Sequence, residues 1–237
     1  MKASWWKISS VILLTYTVIG GLLFDVPRLA IINETIRNLY FHVPMWFTMI
    51  ALFGTSSWYA IQYLRNPHPK FDIYSTQLAN AGFVFGVLGI LTGMLWAQYA
   101  WGTWWHGDPK QNGSAITLLV YSAFFVLRAS IENEDQRARL SAIYNIFAFI
   151  VMIPLLFIIP RMQDSLHPGS GGNPGFNMYD LDSSMRRVFY PACAGWILLG
   201  FWIASIRIRI KLIDEKYLDH ENLPFDEKTP LDTRVNN

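Results

Sequence analysis

Tryptophans are concentrated in one short stretch of the chain. Four of the ten, Trp96, Trp101, Trp104 and Trp105, lie within ten residues of one another, and the Asp-Pro-Lys sequence at 108–110 follows closely. A membrane interface accounts for one or two tryptophans in such a stretch, but not for four. Stacked indole rings form a flat, apolar and polarizable surface, which suits a large planar ligand with a hydrophobic edge. Residues 96–110 are called the tryptophan-rich segment below.

Three of the five histidines also have surroundings in which they could act as ligands. His42 lies among aromatic residues at 39–46, His106 follows Trp105 directly, and His167 lies in the sequence Asp-Ser-Leu-His-Pro-Gly at 164–169. Imidazole is a common metal ligand, although each of these rings taken alone is better explained by a structural hydrogen bond. The other two, His68 in a proline-rich turn and His220 in a charged tail, are expected to have no such role.

The elements that position these residues are six uncharged apolar runs. A bilayer core about 30 Å thick requires roughly 20 mostly apolar residues per helix. The chain is 52% hydrophobic and only 15% charged, which argues against a soluble protein. We predict an all-α, polytopic membrane protein with six transmembrane helices in a single domain, 1–237, in which 211–237 form a short cytoplasmic tail of low order. The runs cover residues 8–24, 43–64, 78–97, 115–127, 142–159 and 188–206.

The distribution of Lys and Arg predicts the orientation in the membrane. With the N-terminus inside, 13 of the 19 basic residues fall in inner segments. The excess of inner positive charge places both termini in the cytoplasm, as an even number of spans also requires. His42, His106, His167 and the tryptophan-rich segment then share the outer face. The six outer cations are Arg28, Arg37, Lys110, Arg161, Arg186 and Arg187.

An aromatic surface flanked by histidines predicts a haem site on the outer face. His42 and His167 would occupy the two axial positions of the iron. His106 is either a contact to the haem edge or a third candidate ligand. The haem propionates would meet outer cations, for which Arg37 and Arg186, or the adjacent Arg187, are the better candidates. The residues expected to surround the ring are Trp101, Trp104, Trp105 and Asp108.

Two further patterns concern the helices themselves. Small residues recur every three or four positions in the third run, at Ala79, Gly82, Gly86, Gly89 and Gly93. This stripe predicts close helix packing, the alternative being the wall of a cavity for a flat ligand. In the fifth run, Pro154 and Pro160 predict a kink and a helix end, and Pro44 predicts the first turn of the second helix.

These motifs resemble one known family. The sequence Trp-Gly-Thr-Trp-Trp at 101–105 with Asp108, the His-Val-Pro at 42–44 and the Ser-Leu-His at 165–167 are similar to the cytochrome c maturation protein C (CcmC) group, within the superfamily of haem-handling proteins that carry a tryptophan-rich (WWD) outer loop. The resemblance covers nearly the whole chain.

The resemblance implies a protein of the bacterial inner membrane that receives haem b at its outer, periplasmic face. In this family haem lies between two histidines over the tryptophan loop and passes to a haem chaperone, with an ABC transporter as a further partner. We therefore expect a haem transfer component rather than an enzyme. The chain contains no Gly-x-x-x-x-Gly-Lys-Ser/Thr loop, so energy from ATP would come through such a partner.

Three alternatives remain open at this point. The Asp-Pro-Lys at 108–110 resembles the CcsA haem lyases, which attach haem to apocytochromes. A b-type cytochrome subunit and a purely structural transporter scaffold are the others. The single cysteine, Cys193, excludes Cys-based zinc and iron–sulfur sites, and a net charge of +2 argues against nucleic acid as a partner.

Overall fold

Each of the six apolar runs folds as a long helix. The computed structural model describes residues 4–28, 32–167 and 181–221, and within these ranges all regular structure is helical, which confirms the predicted all-α class. The long helices are α1 (Trp5–Leu23), α2 (Leu39–Arg65), α3 (Pro69–Trp101), α4 (Pro109–Ala129), α5 (Glu134–Ile153) and α7 (Ser183–Glu221). A 3-10 helix (Asn33–Asn38) precedes α2, and a π-helical segment (Pro154–Ile158) and the short α6 (Ile159–Met162) follow α5.

Five of these elements are long and apolar enough to cross a membrane: α1, α3, α4, the continuous stretch from α5 to α6, and α7 as far as Lys216. This supports a polytopic membrane protein. Helix α2 has 27 residues, or about 40 Å of length. It carries polar residues such as His42, Ser56 and Ser57, and these lie buried in the protein.

Helix α2 is the centre of the bundle. It packs against α3, α5 and α7, and helices α2 to α5 form a four-helix group. Helix α7 covers α2 and α3 from the other side, and α1 packs on α7. The core between α2 and α4 includes Phe53 stacked on Tyr121, with ring centroids 3.5 Å apart. The end of the bundle with the tryptophan-rich segment is called the outer end below, and the opposite end the inner end.

The small-residue stripe of α3 packs against α2, as predicted. A Cβ atom added at Gly82 would lie 2.8 Å from the Phe53 ring, and one at Gly86 would lie 2.7 Å from the Met49 sulfur. Nearer the outer end, a Cβ at Gly89 would meet the Trp46 ring at 2.8 Å, and one at Gly93 would meet the His42 ring at 2.6 Å. The stripe therefore gives close packing along its length and makes room for two rings at the outer end.

Polar contacts join the helices in the inner half of the bundle. The Arg128 guanidinium donates to both oxygens of Asp72, at 2.7 and 2.5 Å, which joins α4 to α3. The Asn145 side chain, from α5, donates to Ser56 Oγ at 2.7 Å and to Ser75 Oγ at 2.8 Å. Hydrogen bonds of this kind hold helices together where water is excluded.

The prolines of the fifth run produce a π-helical turn, which agrees with the predicted kink. Gly113 of α4 lies so close to this turn that an added Cβ would be 2.2 Å from the Leu155 carbonyl oxygen.

Two expectations were wrong. Helix α2 begins at Leu39, so Pro44 lies inside the helix and not in its first turn. Helix α7 continues to Glu221, so residues 211–221 are helical and do not have the low order that was expected of the tail. The remainder of the expected tail, 222–237, lies outside the described residues.

Candidate functional site

A cavity of about 230 Å³ opens at the outer end of the bundle. Helices α2 and α3 form one side, and the start of α4 with the π-helical segment and α6 forms the other. Most of its wall is aromatic or aliphatic, including Phe47, Ile50, Ile90, Leu156 and Phe157. The polar side chains that line it are His42, Lys110, Gln111, Ser114, Arg161 and His167.

His42 is held rigidly in the first turns of α2. Its side chain is buried, with 8% of the residue exposed. The rings of Trp46 and Trp96 approach it edge-on, with centroids 6.2 and 6.0 Å away. The absence of a side chain at Gly93 leaves the space for the imidazole. Packing from both sides therefore fixes the plane of this ring.

A threonine of α3 lies beside Nδ1 of His42 and favours the tautomer with the proton on that nitrogen. Thr92 Oγ1 donates its hydrogen to the Leu88 carbonyl at 2.8 Å. The same oxygen therefore accepts from His42 Nδ1–H, 3.1 Å away. In this neutral tautomer Nε2 carries the lone pair, which is the form in which histidine binds a metal.

His167 reaches the same cavity from the segment after α6. Its Nδ1–H donates to Asp108 Oδ1 at 2.8 Å. The segment itself is attached to the same carboxylate, because Ser165 Oγ and the Leu166 backbone N–H donate to Asp108 Oδ2 at 2.9 and 2.7 Å. Histidine ligands of metals commonly donate the other ring N–H to a carboxylate in this way.

Asp108 is the residue that joins the tryptophan-rich segment to the His167 segment. It caps the N-terminus of α4, where Oδ1 accepts from the Lys110 backbone N–H at 2.8 Å. Burial acts to raise the pKa of this carboxyl, but hydrogen bonds from His167, Ser165 and the Lys110 backbone outweigh it and hold the pKa well below the usual range. Asp108 therefore remains a carboxylate at physiological pH. It does not line the cavity, so it contacts His167 and not the space for a ligand.

The tryptophans divide between the cavity and its surroundings. Trp105 lines the cavity, and its indole N–H donates to Asn112 Oδ1 at 3.2 Å. Trp101 packs edge-on against His167, with ring centroids 5.0 Å apart, and Trp104 is 52% exposed. Neither of these two is among the lining residues.

Two lining tryptophans were not among the predicted site residues. Trp46 and Trp96 lie on α2 and α3 and contribute to the cavity wall. In the sequence Trp96 belongs to the tryptophan-rich segment, whereas Trp46 resembles an ordinary membrane-interface tryptophan. The signal that could have identified Trp46 is the glycine stripe, because Gly89 provides the space for its ring.

His106 is exposed and does not line the cavity. Its backbone N–H donates to Gln111 Oε1 at 3.0 Å, and its ring contacts the edge of Trp101. The structure thus brings His42 and His167 to one cavity and leaves His106 beside it.

The predicted propionate cations lie elsewhere. Arg37 donates to the carbonyl oxygens of Gly21 and Phe24, at 2.9 and 2.7 Å, and pairs with Glu34. Arg186 donates to Ser183 Oγ at 2.9 Å. Neither lines the cavity, whereas two other cations from the outer group, Lys110 and Arg161, do.

The arrangement can hold a flat, largely apolar ligand that brings its own metal. Two imidazoles supply two ligands, so the other coordination positions would be filled by the ligand itself, as in a macrocycle. Apolar walls suit its edges, and two cations suit carboxylates at its margin.

Comparison with known proteins also indicates a protein that handles haem, which is a flat ligand with its own metal. A family model described as CcmC, Heme exporter protein C, matches residues 1–222. The chain belongs to this family. It is accordingly a membrane protein that handles haem in cytochrome c biogenesis, and the resemblance noted in the sequence is confirmed. The family name is that of a transport component.

Individual relatives include proteins with both names, Heme exporter protein C and CcsA. The chain is 25% identical over 182 residues to Heme exporter protein C of Paracoccus denitrificans, which covers 76% of this chain and 74% of that protein. With the same protein of Haemophilus influenzae it is 22% identical over 210 residues, covering 87% and 82%. It is also 31% identical over 171 residues to cytochrome c biogenesis protein CcsA of Cuscuta reflexa, covering 70% of this chain and 54% of that longer protein.

Proposed function

We propose that this protein binds haem b in the outer cavity, with His42 and His167 as the two axial ligands of the iron. The observation that carries the proposal is the hydrogen bonding of the two rings. Each donates Nδ1–H to a fixed acceptor, Thr92 or Asp108, and both line one apolar cavity. Nε2 is then the nitrogen with which each ring would bind iron.

The cavity residues have distinct tasks in this proposal. Haem is the cargo, and it supplies the iron and the macrocycle that the two histidines grip. Trp46, Trp96 and Trp105 would contact the ring, and the apolar walls would exclude water. Lys110 and Arg161, as the cations at the cavity, would pair with the propionates.

We further propose that the site faces the periplasm of a bacterial inner membrane, with both chain termini in the cytoplasm. The excess of Lys and Arg in the opposite segments supports this orientation. From this face the protein would pass haem to a haem chaperone, together with an ABC transporter, as a transfer component without catalytic chemistry of its own. The exporter name of the family supports this role.

The test is purification in detergent followed by absorption spectroscopy and a pyridine haemochrome assay. His42→Ala and His167→Ala should each reduce the haem that copurifies by at least tenfold, because loss of even a hydrogen-bond partner of a metal ligand costs about tenfold to a hundredfold in affinity. His106→Ala is the matched control, because this outer histidine lies outside the cavity. A double His42→Ala/His167→Ala variant with the full wild-type Soret band would show that the assignment is wrong.

A second candidate function is haem attachment to an apocytochrome, as in a haem lyase. The similarity to CcsA and the Asp-Pro-Lys sequence at 108–110 favour it. A complementation assay separates the two. Cytochrome c assembly restored by this chain alone would support a lyase, whereas a requirement for chaperone and ABC transporter subunits would support transfer.

A further inference from the structure

The two histidines at the cavity differ in what holds them. His42 Nδ1–H donates to a neutral hydroxyl, Thr92 Oγ1, at 3.1 Å. His167 Nδ1–H donates to a buried carboxylate, Asp108 Oδ1, at 2.8 Å. The second bond is shorter and has an ionised acceptor, so it is the stronger of the two.

The acceptor of the Nδ1 proton affects the opposite nitrogen of the ring. A carboxylate draws this proton away from the imidazole and gives the ring partial anionic character, which raises the basicity of Nε2. A neutral hydroxyl raises the basicity of Nε2 far less than a carboxylate does. A more basic imidazole donates more electron density to iron and stabilises the ferric over the ferrous state.

The carboxylate is well placed for this task. Asp108 is 3% exposed and accepts hydrogen bonds from His167, Ser165, Leu166 and Lys110, which fix the positions of both oxygens. It is also the N-cap of α4. Its position relative to His167 is therefore set by a helix and by the segment that carries the histidine.

We propose that Asp108 is a positioning residue that makes His167 the stronger of the two iron ligands and thereby sets the reduction potential of bound haem. The inference rests on the proposed function, since it requires haem between His42 and His167. Thr92 fixes the tautomer of His42 without adding to its donor strength. The two faces of the haem are thus unequal, and the ferric iron is held mainly from the His167 side.

The experiment measures haem affinity and reduction potential in purified, haem-loaded protein. Asp108→Asn keeps a side chain suited to an N-cap but removes the charge. Retention of ferric haem should fall about tenfold to a hundredfold. The potential should rise, with a tenfold loss of preference for ferric iron equal to about 59 mV. Thr92→Val should shift the potential by less than this.

Two controls separate ligand strength from loop attachment. Ser165→Ala removes the bond from Ser165 Oγ to Asp108 Oδ2 and the 3.2 Å bond from the His167 backbone N–H to Ser165 Oγ, but it leaves the bond of the ring. It should lower haem retention only slightly and leave the potential unchanged. Asp182→Asn makes the same chemical change at the exposed acid that caps the start of α7, where Ser184 N–H donates to Asp182. It should match wild type.

Three results would overturn the inference: an unchanged potential in Asp108→Asn, an equal shift in Ser165→Ala, or a shift in Thr92→Val as large as that in Asp108→Asn. If the Asp108 variant fails to fold, Thr92→Val still tests the inference. A reduction potential raised by about 59 mV or more in Thr92→Val would contradict the claim that His167 is the stronger ligand. Failure of the proposed function is a different result, namely wild-type haem content in the His42 and His167 variants.

Discussion

The inner and outer halves of the bundle use buried polar groups in opposite ways. In the inner half, Asn145, Ser56 and Ser75 bond to one another, and Arg128 bonds to Asp72, so these groups satisfy each other and join helices. In the outer half, Thr92 and Asp108 each engage one nitrogen of a histidine. Both rings also line the cavity. Polar groups therefore stabilise the fold in one half and prepare a binding site in the other.

The packing of the two halves also differs, since the inner half is closely packed and the outer half contains the cavity. Gly82 and Gly86 allow α3 to pack closely against core side chains such as Phe53 and Met49. At the outer end the π-helical segment and α6 replace the regular turns of α5, and the cavity lies between them and α2. If this division is correct, substitutions in the outer half change haem affinity and substitutions in the inner half change stability.

The largest expected effect is at Gly93. In Gly93→Ala the new Cβ would lie 2.6 Å from His42 Cε1, so the packed ring must move. We expect haem affinity to fall by about a hundredfold, the upper end of what misplaced metal ligands cost. Titration of the purified protein with haem measures this.

Gly86→Ala is the matched control for that substitution. Its Cβ would be as close to its neighbours, but these are the ends of the flexible Leu118 and Met49 side chains. It should lower stability and leave haem affinity near wild type. An equal loss of haem affinity in both variants would mean that the stripe has no special role at the outer end.

The second effect is at the inner ion pair. Arg128→Gln leaves the Asp72 carboxylate without its bidentate partner, and both side chains are less than one-fifth exposed. We expect the free energy of unfolding to fall by about 2 kcal/mol, below the value for fully buried pairs because water still reaches this one. Denaturant titration in detergent measures the change. If haem affinity fell as much as the free energy of unfolding, the inner half would not be separate from the binding site.

The third effect concerns the cations at the cavity. The double substitution Lys110→Gln/Arg161→Gln removes both positive charges that line it. Haem affinity should fall about tenfold, or ~1.4 kcal/mol, and its dependence on salt should weaken. Arg186→Gln should have no effect on affinity, because Arg186 bonds to Ser183 outside the cavity. A loss of affinity in Arg186→Gln, with none in the double variant, would identify Arg186 as the propionate partner instead.

The smallest effect is expected at Asn145. Asn145→Ala removes three interhelical hydrogen bonds, to Ser56, Ser57 and Ser75, from a residue that is fully buried. Such bonds contribute only about 0.6 to 1.7 kcal/mol within membranes, so stability should fall by about 1 kcal/mol. Haem content should be unchanged. Loss of haem in this variant would show that the inner network also supports the site.

The sequence predicted the helices well because their signal is local. Each apolar run became a long helix, and the prolines at 154 and 160 marked the irregular part of the fifth one. Helix α2 is the instructive case, since its polar residues made it the least apolar of the six while its position made it the most enclosed. Those polar residues contact other helices, and no window of sequence contains their partners.

The site was predicted only as far as residue types allow. The sequence identified His42 and His167 as a pair, and the fold brings both to one cavity. The directions of Trp101, Trp104 and the arginines depend on neighbours far away in the chain. Arg37, for example, is occupied by the carbonyls at the end of α1, a contact that follows from how the 3-10 helix packs. For the same reason Lys110 and Arg161 could not be distinguished from the other outer cations.

The π-helical segment has a consequence for how this cavity wall is encoded. A π turn accommodates one more residue than an α turn, and one residue corresponds to about 100° of rotation around the helix axis. Everything after the turn is therefore rotated relative to an uninterrupted α5, including Pro160 and Arg161 at the cavity. Deleting a single residue at 154–158 would reverse that rotation and turn this wall towards another neighbour. The shape of the site thus depends on a residue count as well as on residue identity.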